Sequence, residues 1–387
     1  MTDPARRPSR GALLLLVVVG LTLGGLVAEL AVRLAAATVP SVKALFAGTD
    51  PLGVLVEPHG ELGYRQKPNS VFKYANGSFA TSNAMGFRGP VVTRPKPSGV
   101  FRIILLGGST SHGWGVGDDS TIDAAMRRIL AQRYPGRHFD VVNLGFDGYD
   151  SWQDFERLRS DGLALEPDLV IMNSGINDVR NARYPNLVDK DPRTILWASV
   201  MTRLREDQRR GRPTVWTVVK HYSYLARLPW LIRASMGNRA IPRGPEKVEV
   251  DPEAADYFQR NVERVAGITA ARGIPLLLST PPSSLGIPGH HELTSDRTYW
   301  VGSDTATQRY RDELDRRLRL VTDSLTRAAA PVAYVPHHFT LDLFLDDCHL
   351  VPAGNAKIAE EFVEAAAPFI ARAGEARAPA AAVQRGA

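Results

Sequence analysis

The sequence contains a single cysteine, Cys348, among its 387 residues. An intrachain disulfide and a zinc site built from several cysteines are therefore excluded. Charge of one sign is not concentrated anywhere either. The 47 Lys and Arg and the 41 Asp and Glu residues are spread along the chain and leave a net charge of +6. Because no nucleic-acid recognition motif accompanies this small excess, we expect no nucleic-acid partner.

Long hydrophobic runs are rare, and the longest stands near the N-terminus. Hydrophobic residues make up 44% of the chain and charged residues 23%, which excludes a wholly disordered, collagenous or polytopic membrane protein. The run covers residues 11–28, is uncharged and has about the length of a membrane-spanning helix. Three arginines precede it: Arg6, Arg7 and Arg10. The positive-inside rule therefore predicts a cytoplasmic N-terminus.

We predict that residues 1–40 form this cytoplasmic N-terminus and a single-pass anchor in the cell membrane, with the rest of the chain extracytoplasmic or periplasmic. A cleaved signal peptide is an alternative, because the alanines at 35–37 resemble a cleavage site. Glu29 and Arg33 lie between the apolar run and that site, and they favour an uncleaved anchor. A buried helix of a soluble domain is the third interpretation.

Three further regions are predicted after the anchor. Residues 41–100 form an extended, loop-rich lead-in with scattered Gly and Pro. Residues 101–371 form the main domain, which contains an insertion at about 180–250. This insertion is interpreted as a helical subdomain at the sheet edge, with a cap over the active site or a contact with the membrane surface as alternatives. Residues 372–387 are rich in Ala, Arg, Pro and Gly, which predicts a disordered tail.

The main domain alternates short apolar runs with helical patterns. Strands are predicted from their length and composition at 101–106, 139–144, 169–172, 275–279 and 332–335. Helices are predicted at 121–134, 152–163, 254–271, 309–328 and 353–371. Because the strands are almost continuously apolar and alternate with helices, we predict an α/β fold whose parallel sheet is covered by helices on both faces.

Polar residues follow several of these strands at the point where each strand ends. Ser109 comes after the first strand, Gly145 after the second and Asn177 after the third, and an Asp-x-x-His segment from Asp346 to His349 follows the fifth. The carboxyl ends of parallel strands meet along one edge of a sheet, where ligand sites form. We therefore expect these residues to share one crevice.

Together these residue types meet the requirements of acyl transfer. A serine hydroxyl is a poor nucleophile until a base takes its proton, and His349 can serve Ser109 in that way. Asp346 can accept the other imidazole N–H and so fix the tautomer. The backbone N–H groups of Ser109 and Gly145, with the side-chain amide of Asn177, would form an oxyanion hole for the tetrahedral intermediate.

Several other residues compete for these roles. Asp347 is the rival for orienting the histidine, and His112 is the rival base, although a pocket-lining or solvent-facing position suits His112 better. Cys348 is expected to pack rather than to react. The histidine pairs at 290–291 and 337–338 suggest a metal, but no carboxylates accompany them in the sequence pattern, so structural or surface roles are expected and no metal site is predicted.

The four short segments that contain the predicted catalytic and oxyanion residues resemble the sequence blocks of the SGNH, or GDSL-type, hydrolase family. The letters of that name correspond in order to Ser109, Gly145, Asn177 and His349. The resemblance covers roughly residues 100–371. It implies a flavodoxin-like three-layer α/β/α fold with esterase or acyltransferase activity and no cofactor. One departure is the Gly-Gly-Ser sequence at 107–109, which lacks the aspartate of the usual Gly-Asp-Ser. This variant, with the segment 83–89, resembles membrane-anchored bacterial members.

The expected function is an extracytoplasmic serine esterase that cleaves O-acyl groups, with O-acetyl groups on a cell-envelope or exported glycan as the expected substrate class. Its partners would be an acylated glycan or small molecule and the membrane itself, and the sequence names no protein partner. The same residues would serve an O-acyltransferase that passes the acyl group to a sugar hydroxyl. A catalytically silent glycan-binding or assembly protein is the alternative from another class.

Overall fold

The computed structural model describes residues 9–39, 42, 56–59, 61–74, 78–181, 215, 219, 223–229, 232, 252–290, 293 and 304–377. The chain divides into two compact units. One comprises Met1–Leu52 and Asp207–Ala240, and the other comprises Gly53–Glu206 and Ile241–Ala387. Most of the predicted insertion, and residues 378–387 of the predicted tail, lie outside the described residues.

The first unit is built on one long helix, α1 (Arg10–Thr38), whose N-cap Ser9 accepts the N–H of Ala12. Its most apolar window has a mean hydropathy of 2.5, and none of that window is buried in the protein. At about 1.5 Å per residue, its 29 residues exceed the thickness of a bilayer core. In the described part of the chain, α1 is the helix long and apolar enough to cross a membrane, as an anchor or as a signal sequence.

Part of the insertion contacts α1 within this unit. Residues 224–229 are helical, and Glu29 on α1 accepts hydrogen bonds from the Ser223 hydroxyl and from the backbone N–H groups of Tyr224 and Leu225. The carboxylate therefore occupies the N-terminus of this short helix, where backbone N–H groups lack intrahelical acceptors. This contact explains why an acidic residue follows the apolar run.

The second unit begins with two antiparallel hairpins. Strand β1 (Val56–His59) pairs with β2 (Gly63–Gln66), and β3 (Val71–Lys73) pairs with β4 (Phe79–Thr81). The sequence predicted an extended, loop-rich lead-in here and did not indicate these individual strands. Strands of three or four residues are too short to give the alternating pattern by which a strand is recognised.

The centre of this unit is a five-stranded parallel sheet, as predicted. Its strands in chain order are β5 (Val100–Gly107), β6 (His138–Asn143), β7 (Leu169–Asn173), β8 (Leu276–Ser279) and β9 (Val332–Tyr334). Their spatial order is β6-β5-β7-β8-β9, the doubly wound order of flavodoxin-like sheets. The order reverses beside β5, and the carboxyl end of β5 therefore borders the crevice where ligands bind in such folds.

Helices follow the strands: α2 (Ser109–His112), α3 (Ile122–Arg133), α4 (Ser151–Arg157), α5 (Ile176–Asn181), α6 (Pro252–Ala270), α7 (Asp304–Arg327) and α8 (Pro352–Arg377). The last of these corrects the predicted boundary, because α8 continues past residue 371 into the segment expected to be disordered. Most of residues 372–377 are Ala, Glu and Arg, which favour helix strongly enough to extend it.

Alternate side chains of the strands enter two separate cores. Ile103 and Leu105 of β5 pack with α3 and α8, whereas Ile104 and Leu106 pack with α4, α6 and α7. Successive strand side chains point to opposite faces of a sheet, and both faces are covered here. The predicted three-layer α/β/α arrangement is therefore confirmed.

Candidate active site

Ser109 is presented by a tight turn between β5 and α2. Gly107 has a φ of +144°, and a Cβ there would overlap the side chain of Ser111. A Cβ on Gly108 would lie 2.6 Å from Nδ2 of Asn177. Glycine alone fits both positions without displacing a neighbour, which agrees with Gly-Gly-Ser in place of Gly-Asp-Ser at 107–109.

His349 lies in the loop between β9 and α8, and Asp346 shapes that loop. Oδ1 of Asp346 accepts the backbone N–H groups of Cys348 at 3.0 Å and His349 at 2.7 Å. This local turn brings Oδ2 of Asp346 within 2.7 Å of Nδ1 of His349. The opposite ring nitrogen, Nε2, lies 2.8 Å from Oγ of Ser109. The structure thus brings the serine, imidazole and carboxylate together in one chain of hydrogen bonds.

The 346–349 loop is fastened on two sides. The carbonyl oxygen of Asp347 accepts the hydroxyl of Ser283 and the backbone N–H of Ser284, both at 3.0 Å. The carbonyl oxygen of Cys348 accepts the hydroxyl of Thr110 at 3.2 Å. The loop is therefore tied both to the exit of β8 and to the helix that carries Ser109.

Burial and charge act in opposite directions on this loop. Burial alone would raise the pKa of Asp346, but the charge and hydrogen bond of His349, with two backbone N–H groups, lower it to about 2. Burial likewise opposes charge on His349, yet its neighbours Cys348 and Asp346 raise its pKa well above the usual value. Burial raises the pKa of the Cys348 thiol to about 11, so the carboxylate of Asp346 is the charge that stabilises an imidazolium.

The three predicted oxyanion donors are differently placed. The N–H of Ser109 lies at the N-terminus of α2, where the first N–H groups have no intrahelical acceptor. Nδ2 of Asn177 donates to the carbonyl oxygen of Tyr149 at 2.8 Å. This hydrogen bond fixes the amide and leaves its second N–H for another acceptor. The N–H of Gly145 donates to Oδ1 of Asn143 at 3.0 Å. That third donor is therefore engaged within the protein in this structure.

The rival residues lie elsewhere. The ring of His349 pairs with Asp346 rather than Asp347. His112 is almost fully buried; its Nδ1 lies 3.0 Å from Oδ1 of Asp147 and its ring contacts Phe146. The solvent-facing alternative for His112 was therefore wrong, and its position suits packing beneath the site.

Neither histidine pair forms a metal cluster among the described residues. Nδ1 of His290 lies 2.8 Å from the carbonyl oxygen of Ile287, and Nδ1 of His337 lies 2.5 Å from Oε2 of Glu361. His291 lies outside the described residues. The group in that part of the chain with metal-ligand atoms within 4.8 Å of one another comprises Asp346, Cys348 and His349. Both ring nitrogens of that histidine are already engaged, which leaves it poorly suited to bind a metal.

Two residues near the site escaped the sequence reasoning. Arg88 is buried and its guanidinium donates to the carbonyl oxygens of Gly113 and Val116 at 2.6 Å and pairs with Asp118 at 2.8 Å. It therefore holds the segment that follows α2. The centre of the Trp114 ring lies 4.5 Å from that of His349. The only signal for Arg88 was its position in the glycine-rich segment 83–89.

A cluster of buried acids surrounds the N-terminus of α4, next to α5, the helix that carries Asn177. Asp150 caps α4, and Asp178 accepts the backbone N–H and hydroxyl of Ser151 at 3.1 and 2.5 Å. Asp178 thus braces the neighbouring helix. Asp154 is fully buried, and this burial raises its pKa to about 8.

Comparison with known proteins adds a family match. The model of the GDSL-like Lipase/Acylhydrolase family matches residues 105–357, while no curated protein matches. Similar solved structures include an α/β hydrolase enzyme from the metagenome of Lake Arreo, Spain, which is 19% identical with a TM-score of 0.41 and covers 70% of this chain and 96% of its own.

Two further solved structures are similar at the same level. An acetylxylan esterase from Geobacillus stearothermophilus is 15% identical with a TM-score of 0.41 and covers 68% of this chain and 93% of its own. The lipase/acylhydrolase from Enterococcus faecalis is 14% identical with a TM-score of 0.39 and covers 69% and 95%.

The family match spans more than half of the chain and includes every block of the predicted signature. It confirms the resemblance to SGNH hydrolases. The chain therefore belongs to the GDSL-like lipase/acylhydrolase family and is a serine ester hydrolase.

Proposed function

We propose that the chain is a membrane-anchored, extracytoplasmic esterase in which Ser109 is the nucleophile, His349 the general base and Asp346 the residue that orients it. The observation that supports this assignment is the hydrogen-bond chain from Asp346 through both nitrogens of His349 to Ser109, at 2.7 and 2.8 Å. Distances of this length allow proton transfer between the serine and the ring.

In the first half of the reaction, Oγ of Ser109 attacks the ester carbonyl carbon while Nε2 of His349 takes the hydroxyl proton. Nδ1–H of the ring stays hydrogen-bonded to Asp346, whose carboxylate stabilises the imidazolium. The tetrahedral intermediate then expels the alkoxide, which receives the proton from Nε2. An acyl group remains bonded to Ser109.

The oxyanion of the intermediate would be stabilised by the N–H of Ser109 and by the second N–H of Asn177. The first N–H of Asn177 is held by Tyr149, which orients the amide before substrate binds. Gly145 would supply a third donor if its N–H turned from Asn143 to the substrate. Position 145 has little room for a side chain, because a Cβ there would lie 3.0 Å from the carbonyl oxygen of Gly107.

In the second half, His349 deprotonates a water molecule that attacks the acyl carbon, and Ser109 leaves with the proton. Substrates would be O-acyl esters, with O-acetyl groups on a cell-envelope or exported glycan as the class that fits the proposed location. That location is supported by the length and hydropathy of α1 and by the arginines at positions 6, 7 and 10.

The central test compares Ser109→Ala with the wild type in cleavage of a small activated acetate ester. We expect the rate to fall by several orders of magnitude, because the members of such a triad act as a unit. Ser324→Ala, on the exposed face of α7, is the matched control and should retain full activity. Equal rates for Ser109→Ala and the wild type would remove Ser109 as nucleophile.

The acyl acceptor is tested separately with an O-acetylated polysaccharide in water enriched in oxygen-18. Hydrolysis places one labelled oxygen in each released acetate, because water attacks the acyl carbon. Appearance of acetyl groups on an added deacetylated polysaccharide, with little acetate released, would contradict hydrolysis and establish transfer to a sugar hydroxyl instead.

A further inference from the structure

The backbone of Trp114 is hydrogen-bonded to the backbone of Ser109, the proposed nucleophile. Trp114 lies between two glycines with positive φ, Gly113 at +85° and Gly115 at +82°. Its N–H donates to the carbonyl oxygen of Ser109 at 3.0 Å. A Cβ on Gly115 would lie 2.8 Å from Leu345. These glycines therefore form a turn that approaches the 346–349 loop closely and directs the indole towards it.

The indole covers one face of the His349 ring. The two ring centres are 4.5 Å apart and their planes differ by 33°, which is closer to stacking than to an edge contact. Behind Trp114, the buried ring of Tyr74 packs at 5.7 Å and 65°. The indole is therefore fixed on one side by Tyr74 and contacts His349 on another.

We propose that Trp114 is a positioning residue of the esterase, which holds the imidazole plane of His349 in line with Ser109 and stabilises its imidazolium form. The proposal rests on the proposed function, because it assigns His349 as the base. Hydrogen bonds at Nδ1 and Nε2 tolerate small rotations of the ring about its Cβ–Cγ bond. Contact across the ring face restricts that motion.

The charge argument concerns the imidazolium that forms as Ser109 attacks. A cation within about 6 Å of an indole face is attracted by its quadrupole, and the observed separation lies inside that range. The neutral ring gains less from the same contact. The indole therefore favours the transition state over the ground state, which is the condition for a rate effect.

Asp346 is the charged group of the 346–349 loop that acts on His349, because the thiol of Cys348 stays neutral. The nucleophile turn adds the uncharged Ser109 and Trp114. Substituting Trp114 alters neither Asp346 nor Cys348. A change in the titration of His349 in such a variant therefore reports the indole contact.

The test uses the full-length protein with Trp114→Leu, which keeps apolar bulk but removes the aromatic face, and Trp114→Phe, which keeps a smaller one. For Trp114→Leu we expect kcat to fall about 3- to 30-fold with little change in KM. We also expect the acid limb of kcat/KM to move down by roughly half to one pH unit, because the imidazolium is less stable. Trp114→Phe should restore most of both quantities.

Trp152→Leu is the matched control, since Trp152 packs against Tyr257, whereas the indole that contacts His349 is that of Trp114. Its kcat and pH midpoint should equal those of the wild type. Thermal melting of each variant separates loss of fold from loss of function. If Trp114→Leu does not fold, Trp114→Phe and Trp114→Met are compared instead, and the aromatic variant should keep the higher kcat and the higher pH midpoint.

Unchanged kcat and pH midpoint in Trp114→Leu would overturn the proposal, as would a defect found in KM alone, which indicates direct contact with substrate. Equal defects in the Phe and non-aromatic variants would also overturn it. Ser109→Ala distinguishes this failure from failure of the proposed function. If Ser109→Ala is inactive while Trp114→Leu behaves like the wild type, only the role of Trp114 is wrong.

Discussion

The two oxygens of Asp346 make different contacts. Oδ1 accepts two backbone N–H groups and so fixes the turn, whereas Oδ2 accepts from Nδ1 of His349. Because the low pKa of about 2 keeps the carboxylate ionised, both oxygens remain acceptors at all physiological pH values. One side chain thus sets both the shape of the loop and the tautomer of its histidine.

Asp346→Asn separates these two effects. An amide can keep its oxygen on the backbone N–H groups, but its NH2 then faces Nδ1 and favours the wrong tautomer of His349. We expect kcat on an activated acetate ester to fall roughly 10³- to 10⁴-fold with little loss of melting temperature.

Asp347→Asn is the control for Asp346→Asn, since His349 does not pair with Asp347. Its kcat should remain within a few-fold of the wild-type value. A similar loss in both variants would show that the whole loop, rather than the pairing of Asp346 with His349, had been disturbed.

At this scale, the sequence predicted residues whose spacing has chemical meaning. An Asp-x-x-His segment after the last strand identified Asp346 and His349, and the serine after β5 was identified in the same way. Arg88 and Trp114 could not be assigned, because their roles depend on contacts between segments far apart in the chain. Nothing in the sequence near Trp114 indicates that its ring lies against His349.

The N-terminus of α4 collects acids that the sequence pattern did not connect. Asp150 caps the helix, Asp178 braces it from α5, and Asp154 lies fully buried one turn into it. Asp154 lies near the hydroxyl of Ser174 and the N–H of Gly107, which lower its pKa less than burial raises it. Two carboxyl groups at the N-terminus of α4, those of Asp154 and Asp178, therefore have a pKa that is raised by burial.

This arrangement makes stability depend on pH. With a folded pKa of about 8 and a lower pKa in the unfolded chain, folded Asp154 binds a proton that the unfolded chain has lost. Stability therefore falls as pH rises between the two values, by up to about 1.4 kcal/mol per pH unit. Asp154→Asn removes this term, so we expect its melting temperature, relative to the wild type, to increase from pH 5 to pH 8.

Melting curves at several pH values measure this difference. Asp323→Asn, at an exposed position of α7, is the matched control. Its melting temperature should differ from that of the wild type by the same small amount at every pH. A constant difference between Asp154→Asn and the wild type across the range would contradict a raised pKa at Asp154.

Among the elements, β5, β7 and β8 were predictable because they are buried on both faces and are therefore almost uniformly apolar. The hairpins over 56–81 were not, since each strand is only three or four residues long and pairs locally. The end of α8 was misplaced for a different reason. Helix propensity in residues 372–377 outweighed a composition that resembles a disordered tail.

For the whole molecule, the proposed membrane anchor implies a direction in which the chain would cross the membrane. We expect a cysteine introduced at the exposed position 323 of α7, in a Cys348→Ala background, to react with a membrane-impermeant maleimide on intact spheroplasts. The reason is that the arginines before α1 favour a cytoplasmic N-terminus, which leaves the sheet and its helices outside.

Thr2→Cys in the same background is the control with the opposite expectation. It should be labelled only after lysis, because residue 2 precedes the apolar helix. Labelling of Thr2→Cys on intact spheroplasts, with protection of Asp323→Cys, would reverse the proposed orientation.

The hydrogen bond between Ser109 and His349 joins positions 240 residues apart. During synthesis the serine leaves the ribosome long before the histidine, and a serine without its base is a weak nucleophile. On the proposed roles, the growing chain therefore has no esterase centre until its C-terminal loop has been made. If the chain is exported while it is translated, the complete centre never forms in the cytoplasm. Esters in that compartment would then not be hydrolysed.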